Sequence, residues 1–386
     1  MVERVRTDPN TPFDEQWRRF SELAAQRPAE LGPMPAWLPS VERTVRSNVA
    51  ALMAELGIDD YRRLHRWSVE HRNDFWAMTL DRLGIRFASP PDSTIDPAGG
   101  PAQPRWLTGA RLNIVDSCFQ ASQCTIAVAV GREGGPAVQT VTYGELEALV
   151  NRVANGLRDH GFRPGDGIAL YMPMTLKCVA AYRGAVRAGC SVVSIADSFS
   201  AEEVARRLRI GAASGVITVD HFDRGGKKIP LYDKVVEAAA PRAVVIRSSS
   251  EIVLRDGDLE WDDLLSESTD FASVVGDPYD MTNVLFSSGT TGDPKAIPWN
   301  HLTPIKCMMD GHFHHDITPG DVVAWPTNIG WMMGPWLIYA ALGNRACLAL
   351  FEGLPTRPGF TSFVRDAGVS MLGVVPSLVR AWRSSG

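Results

Sequence analysis

The sequence predicts an α/β protein in which parallel sheets are covered by crossover helices. Strand-like apolar runs alternate with amphipathic helical periods from Thr142 onward. Capping patterns open some of the helical stretches, and 45% hydrophobic residues over 386 positions are enough for a sizeable core. This alternation is typical of βαβ units, which build parallel sheets. We therefore expect two parallel-sheet subdomains preceded by a helical N-terminal extension.

The N-terminal extension is predicted to cover residues 1–105. Arg, Trp and Pro are frequent there, and helical stretches at 41–56 and 69–83 are separated by Pro-rich joints. The segment 96–104, DPAGGPAQP, has the composition of a linker. We place a first α/β subdomain at 106–275 and a second at 276–386.

The elements of the two subdomains follow in order along the chain. Thr142 and Glu145 form a capping box at the start of a helix that ends near Gly161. The remaining predicted elements are a strand at 167–172, a helix at 177–188, a strand at 191–195, a helix opened by Ser200 and Glu203, a strand at 215–219, a helix at 234–239, a strand at 243–246, and strands near Val284, Val322, Leu348 and Leu372. The apolar segment 331–351 contains Gly-Pro and Asn-Arg interruptions, so we interpret it as a buried helix, turn and strand.

Charge and cysteine content exclude some classes of protein. Lys and Arg number 39 against 44 Asp and Glu, so the net charge is −5 and no nucleic-acid partner that depends on phosphate neutralisation is expected. The six cysteines are scattered without a CxxC pair or zinc-type spacing, and the N-terminus lacks the apolar run of a secretory signal. We therefore expect a reduced, cytoplasmic protein without a transmembrane segment.

The segment 283–299, NVLFSSGTTGDPKAIPW, carries the strongest chemical signal. A short apolar strand leads into small and hydroxylated residues, and a lysine follows. Glycines let backbone N–H groups turn toward an anion, hydroxyls add donors, and lysine supplies a compact positive charge. The spacing G-x-x-G-x-x-K differs from the Walker pattern. We predict that a polyphosphate binds Ser287, Ser288, Gly289, Thr290, Thr291, Gly292 and Lys295; the alternative is a flexible hairpin.

The whole string S-S-G-T-T-G-x-P-K resembles the signature of the adenylate-forming superfamily. Further matches from about Pro35 to the end of the chain resemble its acetyl-CoA synthetase-like branch, and most closely the plant peroxisomal acyl-activating enzymes and their bacterial relatives. These matches include WLTGARLNIVDSC, GIALYMPM, DRGGKKIPL, WPTNIGWMMGP and GVVPSLVRAW. The resemblance implies the N-terminal domain of such an enzyme, in incomplete form.

The resemblance also implies a reaction and roles for residues. Such enzymes join a carboxylic acid to coenzyme A through an acyl-adenylate, using ATP and Mg²⁺, so the phosphate loop with the catalytic Lys295 is expected to stabilise the leaving pyrophosphate. A coenzyme A contact is implied for Arg224, Gly225, Gly226 and Lys227. An acyl pocket is implied for Trp331, Met332, Met333 and Gly334. From the residues alone, an ordinary basic turn is the favoured interpretation of the first set, and a core stripe is the favoured interpretation of the second.

Two features separate this chain from the family's pattern. The acyl motif reads G-W-M-M-G where acetate enzymes typically have G-W-V-T-G, and methionine is bulky but adaptable, so the pocket need not be shaped for acetate. Family members also continue past the position of Gly386 with motifs for adenine, ribose and Mg²⁺ and with a second lysine. We therefore expect a missing C-terminal part and no turnover by the 386-residue chain alone.

Other functions remain open at this point. A non-catalytic remnant could bind nucleotide, coenzyme A or a partner chain, and a related enzyme could pass the acyl group to a carrier-protein thiol. The cluster His312, His314, His315 and Asp316 lacks further ligands at zinc spacing, so no metal site is predicted there.

Overall fold

The structure is a computed structural model that describes residues 11–34, 39–100, 103–135, 137–248, 252–287 and 292–385. Residues 1–65 and 66–386 form two compact units. The α-helices are α1 Phe13–Ala25, α2 Val41–Arg46, α3 Asn48–Glu55, α4 Tyr61–Glu70, α5 Arg72–Leu83, α6 Tyr143–Asp159, α7 Leu176–Arg187, α8 Ala201–Ile210, α9 Tyr232–Glu237, α10 Trp261–Leu264, α11 Leu302–Met309, α12 Met333–Gly343, α13 Pro358–Asp366 and α14 Pro376–Ser385.

The β-strands all follow these first five helices in the chain. They are β1 Ser93–Asp96, β2 Arg105–Thr108, β3 Ile126–Arg132, β4 Gln139–Thr142, β5 Gly167–Tyr171, β6 Ser191–Ile195, β7 Ala213–Val219, β8 His221–Arg224, β9 Lys227–Pro230, β10 Ala243–Ile246, β11 Leu259–Glu260, β12 Met281–Ser287, β13 Lys295–Asn300, β14 Val322–Ala324, β15 Cys347–Glu352 and β16 Met371–Leu372. The described regular structure before β1 is helical, as predicted for the N-terminal extension.

Two larger sheets carry the fold, and both are mainly parallel, which confirms the predicted class. The first has the strand order β11-β10-β7-β5-β6-β12-β13, and only its edge strand β13 runs antiparallel to its neighbour. The second has the order β16-β14-β15-β3-β4, with β4 as the antiparallel edge. Each sheet therefore takes strands from both sides of residue 275, and the subdomain boundaries at 105 and 275 stay predictions.

Helices begin largely where the sequence patterns place them. Thr142 Oγ1 accepts from the Glu145 N–H while the Glu145 carboxylate accepts from the Thr142 N–H, so the capping box of α6 is confirmed. Ser200 caps α8, but the Glu203 carboxylate pairs with arginines of the same helix instead of closing a second box. The helix expected at 41–56 is two helices, because Ser47 ends α2 and its hydroxyl caps α3.

Buried strands and helices form the core between and beside the sheets. The central strands β5 and β6 are buried at every position, as the continuous apolar runs of parallel sheets require. Helix α12 is buried from Gly334 to Gly343 and leads into β15, so the predicted buried helix, turn and strand at 331–351 are confirmed. In the described part of the chain, no helix has the length and hydropathy needed to cross a membrane.

The Pro- and Gly-rich segment at 96–104 lies within a hairpin. Strands β1 and β2 pair antiparallel, with Asp96 opposite Arg105, and the segment connects them. Residues 101 and 102 lie outside the described residues. The composition that predicted a linker is also the composition of a turn, since glycine and proline favour both.

Candidate functional site

A cleft of about 1730 Å³ opens where the carboxyl ends of the parallel strands of both sheets meet. In open α/β sheets ligands bind outside the carboxyl ends of the strands, because the loops there converge. The volume exceeds the roughly 300–1,000 Å³ of a pocket for one small molecule. The walls include Met174 after β5, Asp197 after β6, Arg247 after β10, Trp325 and Asn328 after β14, and Gly353 after β15.

The turn between β8 and β9 forms part of one cleft wall. Arg224 pairs with Lys227 across the hairpin, which leaves Gly225 and Gly226 as a two-residue turn with φ values of 63° and 79°. Two positive φ angles in succession are typical of a type I′ turn, which glycine adopts without strain. Arg224, Gly225 and Gly226 line the cleft, whereas Lys227 is exposed outside the lining.

Asp197 is a site residue that the sequence analysis missed. It follows β6, is only 3% exposed, and its Oδ2 accepts from Arg224 Nη2 at 2.6 Å. Burial raises the pKa of the Asp197 carboxyl, and this effect outweighs the lowering of the pKa by Arg224 and by the Asn328 amide. The available sequence signal was a single acidic residue directly after the apolar run SVVSIA.

The loop after β6, residues 196–199, contacts the predicted acyl segment. The Phe199 carbonyl accepts from Tyr171 Oη at 2.7 Å and from Lys234 Nζ at 3.1 Å. The Phe199 ring meets the Trp331 ring edge to face, with their centres 6.1 Å apart. A Cβ atom on Gly330 would lie 2.1 Å from the Ala196 backbone nitrogen, so only glycine fits this approach. The loop therefore holds the segment that begins at Gly330 against the carboxyl end of β6.

The predicted acyl segment divides between the cleft and the core. Trp331 and Met332 are exposed, and both line the cleft together with Met333 at the start of α12. Gly334 is buried, and a Cβ atom there would lie 2.3 Å from the Asn328 carbonyl oxygen. The structure thus brings three of the four residues to the same cleft as Arg224, and their role stays a prediction.

The described ends of the predicted phosphate loop lie at the edge of the seven-stranded sheet where the carboxyl end of β6 also lies. Ser287 ends β12 and pairs with Lys295 at the start of β13, so the two described ends of the segment lie next to each other in an antiparallel pair. Because β12 runs parallel to β6, Ser287 is level with the start of the loop after β6. Ser288, Gly289, Thr290 and Thr291 lie outside the described residues. Ser287, Gly292 and Lys295 are not among the described residues that line the cleft.

The histidine-rich segment lies in a π-helical turn away from the cleft. His312 Nδ1 lies 3.1 Å from Asn344 Oδ1, and the His315 ring packs edge to face on Trp336. Burial lowers the pKa of both imidazoles, which favours their neutral form. Over the described ranges, no three His, Cys, Asp or Glu side chains are grouped to hold a metal ion.

Comparison with known proteins shows what the chain resembles. The family model described as AMP-binding enzyme matches residues 120–386, and the model described as acetyl-coenzyme A synthetase N-terminus matches residues 61–118. Hexanoyl-CoA synthase of Cannabis sativa is 41% identical, over 92% of this chain and 54% of its own. Probable acyl-activating enzyme 17, peroxisomal, of Arabidopsis thaliana is 40% identical, over 98% of this chain and 56% of its own.

A solved structure supports the same relationship. Acetoacetyl-CoA synthetase from Streptomyces lividans superposes with a TM-score of 0.83 at 27% identity, and the match covers 92% of this chain and 57% of that protein. The chain therefore spans about half the length of the curated relatives it matches.

Proposed function

Because the chain belongs to the AMP-binding enzyme family, we propose that it contributes substrate binding to an ATP-dependent, AMP-forming acyl-CoA synthetase. In the first step a carboxylate oxygen attacks the α-phosphorus of ATP, giving acyl-AMP and releasing pyrophosphate. In the second step the coenzyme A thiol attacks the acyl carbonyl carbon, giving acyl-CoA and releasing AMP. Both steps develop negative charge at oxygen, which preorganised N–H groups and cations stabilise.

One observation carries this proposal. The cleft at the carboxyl ends of both sheets is lined both by the Arg224 turn and by Trp331, Met332 and Met333. A guanidinium with glycine N–H groups suits a phosphate, and a methionine and tryptophan surface suits an acyl chain. The two halves of an acyl-CoA would thus have complementary surfaces within one cleft.

Roles for the loop segments follow from this proposal. Residues 287–292 with Lys295 would bind the β- and γ-phosphates of ATP, so that Lys295 stabilises the charge on the leaving pyrophosphate. The segment from Arg224 to Lys227 would bind the nucleotide end of coenzyme A. Enzymes of this family use ATP with Mg²⁺; the described residues contain no group of three or more His, Cys, Asp or Glu side chains that could hold the ion, so we assign none of them to it.

We propose a carboxylic acid larger than acetate as the substrate. Met332 and Met333 have flexible thioether side chains that adapt to acyl chains of different length. The names of two relatives, hexanoyl-CoA synthase and acetoacetyl-CoA synthetase, also specify acids longer than acetate. A cytoplasmic location is proposed as well; the six cysteines without disulfides support it, and cell fractionation tests it.

The test measures binding of ATP and of coenzyme A to the 386-residue chain by calorimetry. We expect Lys295→Met to weaken ATP binding by roughly 10- to 100-fold, because a hydrogen bond between charged groups, such as a lysine–phosphate contact, contributes about 1.5–3 kcal/mol. Lys228→Met, on the exposed strand β9, is the matched control and should leave ATP affinity unchanged.

One outcome would contradict the proposal, and another would contradict only the expectation of no turnover. Failure of the wild-type chain to bind either ligand would contradict the proposal outright. Carboxylate-dependent exchange between ATP and pyrophosphate would contradict only the expectation that this chain alone does not turn over. A panel of carboxylic acids of increasing length, tested for protection of the chain against thermal unfolding, then examines the substrate.

A further inference from the structure

Asp197 and Arg224 form an ion pair that connects two loops of the cleft. Asp197 follows β6 in the seven-stranded sheet, whereas Arg224 ends β8 in a separate hairpin. The Oδ2 to Nη2 distance is 2.6 Å, the Asp197 side chain is buried, and the Arg224 side chain remains 39% exposed. The carboxylate of the pair is therefore buried, whereas the guanidinium remains accessible from the cleft.

The hairpin alone leaves the Arg224 side chain free to adopt many rotamers. Its two-glycine turn defines the backbone path, but an arginine side chain has several rotatable bonds. The Phe222 ring, on the same face of β8, lies 4.8 Å from the Arg224 guanidinium carbon and supports one of its faces. The hydrogen bond to Asp197 then restricts how the guanidinium is rotated within its own plane. Together the ring and the carboxylate define one orientation.

The hydrogen bond to Asp197 uses one nitrogen of Arg224 and leaves the other N–H donors for a ligand. A guanidinium has five N–H donors, and among the described residues Asp197 engages only Nη2 of Arg224. The remaining Nε and Nη1 groups belong to a side chain that lines the cleft. Because the side chain is already ordered, an anion that binds these groups does not have to immobilise it, and preorganisation of this kind raises affinity.

We propose that Asp197 is a positioning residue that holds Arg224 and its turn in place to bind a phosphate group of the nucleotide end of coenzyme A. The inference rests on the proposed function for the identity of the ligand, and on the ion pair for the positioning itself. We assign Asp197 no direct contact with the ligand. It acts through Arg224.

The first measurement is hydrogen exchange of the backbone amides at 224–227 in the full 386-residue chain. We expect Asp197→Ala to speed exchange in the turn by roughly 3- to 10-fold, since immobilising one such side chain corresponds to that range. Asp197→Asn should have a smaller effect, because its amide oxygen still accepts from Nη2. This variant replaces the alanine variant in the comparison if the alanine variant fails to fold. Asp223→Ala also removes one carboxylate, in this case from the hairpin itself, and should leave exchange unchanged.

The second measurement compares the affinity of the same variants for coenzyme A and for 3′-dephospho-coenzyme A, which lacks one phosphate. We expect Asp197→Ala to weaken coenzyme A binding by roughly 3- to 10-fold and to reduce its preference over the dephospho form to that of Arg224→Gln. Adding Asp197→Ala to Arg224→Gln should then cause no further loss.

The outcomes separate this inference from the proposed function. Unchanged turn exchange in Asp197→Ala, or coenzyme A binding that is equal or tighter, overturns the positioning role. Tighter binding would mean that Asp197 merely neutralises Arg224. If the wild-type chain binds neither form of coenzyme A, the proposed ligand is wrong, while the exchange comparison still decides whether Asp197 positions Arg224.

Discussion

The guanidinium carbon of Arg207 lies 3.8 Å from the centre of the Phe199 ring. Arg207 is 4% exposed, and its guanidinium carbon also lies 5.5 Å from the centre of the Phe286 ring. Phe199 in turn contacts Trp331 in the cleft, while Phe286 directly precedes Ser287. One buried cation therefore packs between the residue that supports the predicted acyl segment and the strand that leads into the predicted phosphate loop.

Replacing this arginine with lysine should destabilise the protein. We expect Arg207→Lys to lower the free energy of unfolding by about 2 kcal/mol. Unlike the planar guanidinium, an ammonium group cannot stack on the aromatic rings or keep the hydrogen bonds to Glu203. Arg206→Lys, at the adjacent and more exposed position, should stay within about 0.5 kcal/mol. Urea unfolding measures both, and equal effects of the two changes would contradict the role of the stack.

A second buried arginine, Arg187, supports the packing of α7 rather than the cleft. Its Nη2 lies 3.1 Å from a Glu147 oxygen and 3.6 Å from Asp116, and its Nε donates to Ser273. Arg187→Met should lower the free energy of unfolding by about 3–5 kcal/mol, since it leaves partly buried carboxylates without their cation.

An exposed ion pair provides the control for Arg187. Arg209 lies 3.7 Å from Asp293, and both side chains are largely exposed. Arg209→Met should change the free energy of unfolding by less than about 1 kcal/mol. A similar loss in both variants, measured by denaturant unfolding, would show that burial does not distinguish the two pairs.

Gly330→Ala tests the contact between the acyl segment and the loop after β6. The new methyl group would lie 2.1 Å from the Ala196 nitrogen and 2.6 Å from its Cα, and backbone atoms cannot move aside as a flexible side chain can. We expect a loss of about 3 kcal/mol in the free energy of unfolding. Gly359 lies within α13, and a Cβ atom there would lie no closer than 3.6 Å to the Phe351 side chain, so Gly359→Ala should be neutral or slightly stabilising. Similar melting temperatures for the two variants would argue against the close approach.

His301 should make the protein's stability depend on pH. The Ile114 N–H donates to its Nδ1 at 3.2 Å, and burial lowers the pKa of His301 to about 4 although Asp280 and Asp277 oppose the shift. Below the unfolded pKa of about 6.5 the unfolded chain takes up the proton first. The stabilisation is therefore complete above pH 6.5 and is lost as the pH falls toward 4, up to about 3 kcal/mol.

The measurement compares wild type with His301→Asn, which keeps an acceptor near the Nδ1 position but does not titrate. Urea unfolding at several pH values between 7 and 4 should show a steeper loss of stability for wild type than for the variant. Parallel pH profiles would mean that His301 is protonated equally easily in the folded and unfolded chain. Carboxylates contribute to both profiles and cancel in the difference.

Local sequence patterns predicted the strands and helices of the parallel sheets well. The prediction of a strand at 191–195 matches β6, and the prediction at 243–246 matches β10, because buried parallel strands are short apolar runs with polar borders. The edge strand β13 was not predicted, since it contains Pro298 and pairs with β12 as its antiparallel neighbour at the edge of the sheet. Edge strands carry little of the apolar pattern on which such predictions rest.

The site was predictable where a contiguous motif encodes it. Arg224, Gly225 and Gly226 were identified as one string, and the structure brings them to the cleft with Trp331. Asp197 was missed because its significance arises from Arg224, 27 positions further along the chain and in another sheet. A lone acidic residue after a strand has no local pattern that distinguishes it from a solvated loop residue.

The order of strands in the five-stranded sheet constrains how the chain folds during synthesis. Strands β3 and β4 emerge from the ribosome early, yet the partner of β3 is β15, and Arg132 meets Glu352 across 220 positions of sequence. The neighbouring strands β5, β6, β7 and β10 find their parallel partners much sooner. A β3–β4 hairpin that forms during synthesis therefore keeps an unpaired edge until β15 is translated, and such an edge is the kind of surface that chaperones protect from aggregation.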